Sequence, residues 1–212
     1  MDIEYYGANA IRLETKKTRI IVDDTLALQG KKSITKADDV SVQTDAAIPV
    51  ADGGRLLLSV PGEYEVGDIS VKAVGVRGHR DEEGKKTATV FKFTALDGNV
   101  VVAGHIHPDI TDQQVEEIGD VDVLMVPVGG SGFTLDAEGA LKVIKKLEPS
   151  VVIPTYFTVS GIKTEMPTPT LEEALNTLGM TVDESPRSNA AKLKNLELGA
   201  EQAKLVVLEP KV

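Results

Sequence analysis

The three histidines of the chain lie in two short stretches, and histidine is the residue type best suited to acid–base or metal chemistry here. His79 stands in Gly-His-Arg, and His105 and His107 stand in Gly-His-Ile-His. Both stretches directly follow predicted strands, where the loops of a sheet gather and sites are built. On an extended backbone His105 and His107 point to one side, a spacing that could serve one metal ion. Without a third ligand, solvated loop histidines are the simpler interpretation.

A glycine-rich turn, Gly129-Gly130-Ser131-Gly132, is the second feature that could carry chemistry. It follows a predicted buried strand and precedes a helix, a place where backbone N–H groups can hold an anion. It lacks the G-x-G-x-x-G spacing and a lysine, so a nucleotide site is not indicated. Ser131 has no histidine in the local sequence to activate it as a nucleophile. The segment therefore predicts a tight turn with a close backbone approach.

The elements that must position these residues change in character along the chain. Before residue 110, short β-branched or alternating runs separated by turns predict a strand-rich half. The predicted strands are Ile3–Tyr6, Ala10–Glu14, Arg19–Val22, Val40–Val42, Arg55–Val60, Ile69–Val76, Thr87–Thr94 and Val100–Ala103.

After residue 110 the pattern becomes β-α-β-α-β, with near-continuous apolar runs typical of strands covered on both faces. The predicted strands here are Val121–Val128, Val151–Pro154 and Lys204–Leu208. Helices are predicted to begin at Thr111 in a capping box, at about Leu135 with Thr134 as cap, and at Thr168-Pro169. We therefore expect one domain over 1–212, with a β-rich first half (about 1–104) and a βαβ-type second half (about 105–212).

Composition narrows the classes of function. The 212 residues carry a net charge of −10, which disfavours nucleic acid and anionic membranes as partners. There is no cysteine, so disulfides, thiolate metal sites and cysteine nucleophiles are excluded. No apolar run is long enough for a membrane span and no signal peptide is visible, which predicts a cytoplasmic protein.

Five stretches then carry a resemblance in their order and spacing: Tyr5–Glu14, Arg19–Asp23, Pro61–Val66, Gly119–Gly130 and Glu148–Tyr156. Together they resemble the metallo-β-lactamase superfamily, and especially the branch of predicted zinc-dependent hydrolases related to ascorbate-6-phosphate lactonases. The resemblance implies an α/β fold, a four-layer α/β/β/α sandwich with helices outside both sheets. It also makes a homo-oligomer plausible.

The same resemblance locates the metal-binding positions of the family, which carry different residues here. The positions of its His-x-His-x-Asp-His motif are taken by Thr44, Ala46, Ile48 and Pro49. The next family histidine falls near His79, the bridging aspartate aligns with His105, and the last histidine aligns with Tyr156. Catalytic zinc needs about three protein ligands and an open position for water. The family uses zinc, but with these replacements no cofactor is expected.

We therefore expect a metallo-β-lactamase fold that has lost its metal site and acts as a non-catalytic binding or scaffold protein. A cleft of residues from distant strand ends would bind a small polar ligand. Its candidate residues are Thr44, Asp45, His79, His105, His107 and Tyr156. The alternative is a metal-dependent hydrolase with a rebuilt mononuclear site of His79, His105 and Asp45. A third interpretation drops the resemblance and leaves a soluble α/β protein whose role the sequence does not indicate.

Overall fold

Thirteen strands and three α-helices are present in the computed structural model, which describes residues 1–183, 188–199 and 202–211. The strands before residue 110 are β1 (Asp2–Tyr5), β2 (Ile11–Glu14), β3 (Arg19–Val22), β4 (Val40–Val42), β5 (Leu56–Leu58), β6 (Gly62–Val66), β7 (Ile69–Val76), β8 (Ala88–Ala95) and β9 (Gly98–Val102). The later elements are α1 (Asp112–Ile118), β10 (Val123–Pro127), α2 (Ala137–Leu147), β11 (Val151–Thr155), α3 (Leu171–Leu178), β12 (Ala190–Lys192) and β13 (Lys204–Leu205).

These strands form two mixed sheets. The first has the order β12-β1-β2-β3-β4-β5 and the second has the order β13-β11-β10-β9-β8-β7-β6. Within the first sheet, β3, β4 and β5 are parallel, and within the second sheet β9, β10, β11 and β13 are parallel. Parallel neighbours end at the same edge of a sheet, so each sheet gathers several strand ends in one place.

The core is shared by the two sheets and is built mainly from aliphatic side chains. One continuous cluster joins Ile3, Leu13 and Ile20 of the first sheet to Phe91 and Val102 of the second. Every residue of β10 and of β11 is buried, which confirms that these apolar runs are strands covered on both faces.

The helices flank the second sheet, where α1 contacts β7, α2 contacts β10, and α3 packs on α2. The predicted α/β architecture of two sheets flanked by helices is confirmed. The segment between β3 and β4 forms one 3₁₀ turn, Leu26–Gln29. No helix among the described residues combines the length and apolar character needed to cross a membrane.

Two predicted helix starts need correction, whereas the capping box at Thr111 is confirmed. The cap of α2 is Asp136, whose carboxylate accepts a hydrogen bond of 2.7 Å from the Gly139 N–H, and not Thr134. Thr134 is instead fully buried. The cap of α3 is Thr170, so this helix begins after Thr168-Pro169 rather than at it. In both cases a later side-chain oxygen can reach the N–H group three residues on.

Candidate functional site

Four strand ends meet at one place between the sheets. In the first sheet Asp23 follows β3 directly and Thr44 stands two residues after β4. In the second sheet His105 follows β9 by three residues and Tyr156 follows β11 directly. Asn9, in the turn between β1 and β2, lies against the same group. The two parallel segments of the fold therefore bring together residues that are far apart in the sequence.

A buried triad of Asp23, Thr44 and His105 forms the centre of this group. The Thr44 backbone N–H donates to one Asp23 oxygen at 2.8 Å, and the Thr44 hydroxyl donates to the other at 2.5 Å. The Nδ1 atom of His105 lies 3.8 Å from the carboxylate and 3.5 Å from the Thr44 hydroxyl. Asp23 and His105 are each 2% exposed, and Thr44 is fully buried.

Burial changes the protonation of both ionisable members of the triad. Desolvation raises the pKa of Asp23 to about 7, against the opposing effect of its hydrogen bonds from Thr44. Desolvation lowers the pKa of His105 to about 3, and the positive charge of Arg80 acts in the same direction. At neutral pH the imidazole is therefore neutral and stands beside a carboxyl group that is near its titration midpoint.

A second set of polar contacts holds His105 from the other side. The Asn9 side-chain nitrogen lies 3.4 Å from Nε2 of the imidazole, and the Thr155 hydroxyl donates to the Asn9 oxygen at 2.8 Å. Because the Asn9 oxygen accepts from Thr155, its amide nitrogen is the atom presented to His105. Thr155 is the last residue of β11, so this connection ties the second sheet to the β1–β2 turn.

Aromatic rings cover the remaining faces of the histidine. The ring centroids of Phe133 and Tyr156 lie 5.3 Å and 5.7 Å from that of His105, both in edge-on arrangements. Burial raises the pKa of Tyr156 to about 12, so its phenol stays protonated. Gly129 approaches Tyr156 so closely that an added Cβ would lie 2.6 Å from the Tyr156 carbonyl oxygen. The predicted close backbone approach at the glycine-rich turn is thus confirmed.

Three buried residues of the group have left-handed backbones, an unusual conformation for residues other than glycine. The φ angles of Ala8, Asp23 and Tyr156 are 47°, 46° and 62°. The Tyr156 N–H donates to the Ala8 carbonyl at 2.8 Å, so two of these residues support each other directly. Such conformations cost of order 1–3 kcal/mol each and concentrate where a fold places side chains for function.

A cleft of about 430 Å³ opens above His105 and Tyr156. Its lining combines three ring systems, an aliphatic wall, and the charged residues of two loops. The residues that line it are Thr25, Leu28, Gln29, Ala47, Ile48, Pro49, Arg80, His105, Phe133, Tyr156, Lys163, Thr164 and Glu165. The guanidinium of Arg80 lies over the Phe133 ring, 4.9 Å from its centroid. The volume suits a small molecule.

The structure brings three of the six candidate residues together and places the other three around them. Thr44, His105 and Tyr156 belong to the group just described. Asp45 is buried next to Thr44, and its carboxylate accepts from the Ala47 N–H at 2.8 Å. Burial raises the pKa of Asp45, and the nearby Arg80 opposes this shift.

His79 and His107 lie together but outside the cleft lining. Their ring centroids are 6.2 Å apart, and His107 Nδ1 is 3.4 Å from the carboxylate of Asp109. The backbone N–H of His79 donates to the His105 carbonyl, which makes the two histidines neighbours through the main chain. Burial lowers the pKa of His107. The rings of His79 and His107 thus lie near each other, while the His105 ring is held among Asp23, Asn9 and the aromatic side chains.

Sequence reasoning did not include Asp23, Asn9 or Phe133 among the candidates. Asp23 had a usable signal, because it ends a predicted strand that resembles a family landmark. Asn9 and Phe133 stand in turns and carry no local pattern that sets them apart. Arg80, which directly follows His79 in the sequence, lines the cleft.

The donor atoms at this place do not fit a catalytic zinc ion. Both Asp23 oxygens accept hydrogen bonds from Thr44, and the four positions of the family histidine motif hold Thr44, Ala46, Ile48 and Pro49. The side chains of Ala46 and Ile48 have no lone pair to offer a metal ion, and a protonated Tyr156 phenol is a poor ligand. Across residues 1–183, 188–199 and 202–211, no three His, Cys, Asp or Glu side chains are grouped so that they could hold a metal ion.

Comparison with known proteins agrees with the architecture. A family model described as the beta-lactamase superfamily domain matches residues 2–156. No curated protein matches the chain. A solved structure from Thermotoga maritima, described as a proposed Zn-dependent hydrolase of the metallo-β-lactamase superfamily, is 24% identical with a TM-score of 0.72, and the match covers 98% of each chain.

Two further solved structures share the fold over nearly the whole chain. A metallo hydrolase from the archaeon Ignicoccus hospitalis is 17% identical with a TM-score of 0.59, over 99% of this chain and 95% of the other. A proposed metal-dependent hydrolase from Parabacteroides distasonis is 13% identical with a TM-score of 0.63, over 99% of this chain and 93% of the other. At these identities the similarity establishes the fold.

Proposed function

Because the chain belongs to the beta-lactamase superfamily domain family, we propose that it is a non-catalytic member of that family, which binds a small polar ligand in the cleft above His105 and holds no catalytic metal. The observation that carries this proposal is the paired hydrogen bonding of Asp23 by Thr44. Thr44 stands at the first position of the family's histidine motif, and its hydroxyl group donates to Asp23. A threonine hydroxyl is also a weak, neutral ligand for a metal ion.

The chemistry of His105 supports the same conclusion. Its imidazole is neutral, but its neighbours are an amide, a hydroxyl, a carboxyl group and two aromatic rings. Two imidazoles and a carboxylate would be the least that a mononuclear hydrolytic site requires. His105 is the one histidine among the lining residues of the cleft.

The contacts of His105 do not support a metal-free hydrolytic mechanism either. A covalent mechanism needs an accessible nucleophile within hydrogen-bonding reach of a base. The Thr44 hydroxyl lies 3.5 Å from His105, but it is fully buried and donates to Asp23. Its oxygen therefore cannot reach a molecule in the cleft. What remains is a preformed pocket with fixed polar groups, which is the arrangement of a binding site.

The rebuilt mononuclear site of His79, His105 and Asp45 is the competing hypothesis. It requires the three side chains to converge on one point. The His79 ring packs beside His107, and the Asp45 carboxylate accepts from the Ala47 N–H. Nothing in these contacts turns either side chain toward His105, so this hypothesis has less support.

Elemental analysis and calorimetric titration with zinc test the proposal. Protein purified without chelators is expected to contain far less than one equivalent of zinc, iron or manganese, and zinc is expected to bind weakly. His107→Ala serves as a matched control, because this partly exposed histidine can bind zinc adventitiously. A tight one-to-one site that disappears in His105→Ala and persists in His107→Ala would overturn the proposal.

A further inference from the structure

The charged residues that line the cleft are mainly positive, whereas the whole chain is negatively charged. The protein carries a net charge of −10, but the cleft lining includes two cations, Arg80 and Lys163, against one anion, Glu165. A local excess of positive charge in a concave site raises the local concentration of anions. Building on the binding function proposed above, we infer that the ligand is a small organic anion with an apolar body, whose carboxylate or phosphate group is bound by Arg80.

Arg80 differs from the other arginines that the structure describes in this part of the fold. Arg12 pairs with Glu4 and Glu14, Arg19 pairs with Asp39, and Arg77 donates to the Asp81 carbonyl. Arg80 lines a cleft and makes no hydrogen bond or direct ion pair within the described residues. The nearby carboxylate of Asp45 accepts instead from the Ala47 N–H.

The stacking of Arg80 on Phe133 prepares it for an anion. With its centre 4.9 Å from the ring centroid, the guanidinium is held by the ring while its N–H groups remain available. A planar guanidinium with free N–H groups matches the two oxygens of a carboxylate or phosphate. Because Phe133 also contacts His105 and Tyr156, the position of Arg80 is fixed relative to the floor of the cleft.

The aliphatic part of the cleft lining favours an apolar group on the ligand. Leu28, Ile48 and Pro49 form it, and Leu28 is 67% exposed. When a ligand covers a large exposed leucine on the wall of a pocket, apolar surface is removed from water, which favours binding. A purely inorganic anion would contact Arg80 and leave this wall in water. An anion with an aromatic or branched aliphatic body would contact both.

His105 and Tyr156 at the floor of the cleft carry no charge, because the imidazole is neutral and the phenol is protonated. Asp23, which is partly ionised at neutral pH, is buried beside His105 and paired with Thr44. Gln29 supplies one further polar atom at the cleft. Its Oε1 is buried and has no hydrogen-bond partner among the described residues, while its amide nitrogen donates to Thr25.

Calorimetric titration in the presence of EDTA separates the contributions of charge and apolar body. The probes are phenylacetate, phenyl phosphate, acetate, inorganic phosphate and benzyl alcohol. We expect at least one of the two aromatic anions to bind, and the corresponding simple anion and the neutral alcohol to bind roughly tenfold or more weakly. Comparing phenylacetate with phenyl phosphate assigns the anion to a carboxylate or a phosphate.

Variants assign the binding to Arg80. Arg80→Gln is expected to weaken the binding of the preferred aromatic anion roughly tenfold or more, because a charge-assisted bidentate contact is lost. Arg55→Gln is the matched control, because Arg55 is exposed and lies outside the cleft. The inference would be overturned if neither aromatic anion bound. It would also be overturned if Arg80→Gln bound the anion as tightly as the parent protein, or if benzyl alcohol bound as tightly as the anion. A tight zinc site dependent on His105 would instead overturn the proposed function, so the two failures are distinguishable.

Discussion

Asp23 and Thr44 are joined by two hydrogen bonds, in which the backbone N–H and the hydroxyl of the threonine each donate to a different oxygen of the carboxylate. The two residues follow neighbouring parallel strands, β3 and β4. The pair therefore closes the end of the first sheet with a polar contact from which water is excluded. A carboxylate in this position can stay buried because its oxygens are paired, and because it can take up a proton.

Replacing Asp23 with asparagine should change how stability depends on pH. The folded-state pKa of about 7 lies above the ordinary 3.8, so the proton on Asp23 stabilises the fold at low pH. This contribution is lost as the pH rises toward 7. The free energy of unfolding of Asp23→Asn should therefore rise relative to the parent between about pH 4 and 7, by up to roughly 4 kcal/mol. Urea denaturation followed by circular dichroism measures it.

Asparagine is a suitable replacement because it tolerates the left-handed backbone of Asp23 and can pair with both Thr44 groups. Asp68→Asn provides the contrast, since hydrogen bonding from Thr15 lowers the pKa of this exposed carboxylate. The pH-dependent effect of Asp68→Asn should have the opposite sign and should lie below about pH 4, so its profile should be parallel to that of the parent between pH 4 and 7. Parallel pH profiles for the parent and Asp23→Asn would contradict the prediction.

His105 should remain neutral in the folded protein well below the pH at which an exposed histidine gains its proton. Burial lowers its pKa to about 3, so between pH 8 and about pH 4.5 its imidazole signals in NMR spectra should lack the large shift that protonation of the ring produces. The titration of the neighbouring Asp23 should change them only slightly. With three histidines in the chain, the His105→Gln variant assigns the signals. A titration midpoint near 6 for His105 would show that its surroundings are not as dry as the structure indicates.

The hydrogen bond from Thr155 to Asn9 should contribute measurably to stability. Thr155→Val keeps the shape of the side chain but leaves the Asn9 oxygen without its donor at a buried site, which costs about 1–3 kcal/mol. Thr94→Val, at an exposed position of β8, should change the free energy of unfolding by less than about 0.5 kcal/mol. Equal effects of the two substitutions would argue against a buried contact at Asn9.

Gly104 should not tolerate a side chain. Its φ is 63°, and an added Cβ would collide with Thr44, including its methyl group at 2.8 Å. Left-handed strain and overpacking together predict that Gly104→Ala destabilises the protein by roughly 2–5 kcal/mol. Gly179→Ala has a similar φ of 59° but open space around it, so it should cost only about 1 kcal/mol. Thermal denaturation of both variants separates collision from strain.

Much of the fold could be predicted because strand patterns in this chain are strong and local. β10 and β11 are continuous apolar runs, and α1 begins with a Thr–Gln capping box, so each is specified within a short window. The starts of α2 and α3 depend on more than the local sequence. Asp136 and Thr170 each stand near another residue able to cap, and the choice depends on the path of the preceding loop.

The candidate site was predictable only where a residue type is rare or stands at a landmark. His105 and Tyr156 could be named from the sequence, whereas the partners that decide their chemistry come from other parts of the chain. Asn9 and Thr155 are 146 residues apart, and only the meeting of two sheets reveals their contact. The protonation of Asp23 likewise depends on burial, which no local pattern reports.

The contact between Tyr5 and Tyr156 has a consequence for the order in which the protein folds. The Tyr156 N–H is shared between the Ala8 carbonyl at 2.8 Å and the Tyr5 hydroxyl at 3.1 Å, the latter across a separation of 151 residues. The floor of the cleft is therefore completed only when the late part of the chain docks onto the first hairpin. Contacts of such long range form slowly, because a long loop must close before any stabilisation is gained. On the ribosome, a nascent chain that ends before Tyr156 has no complete cleft, so the ligand binding proposed above would begin only after most of the protein has been synthesised.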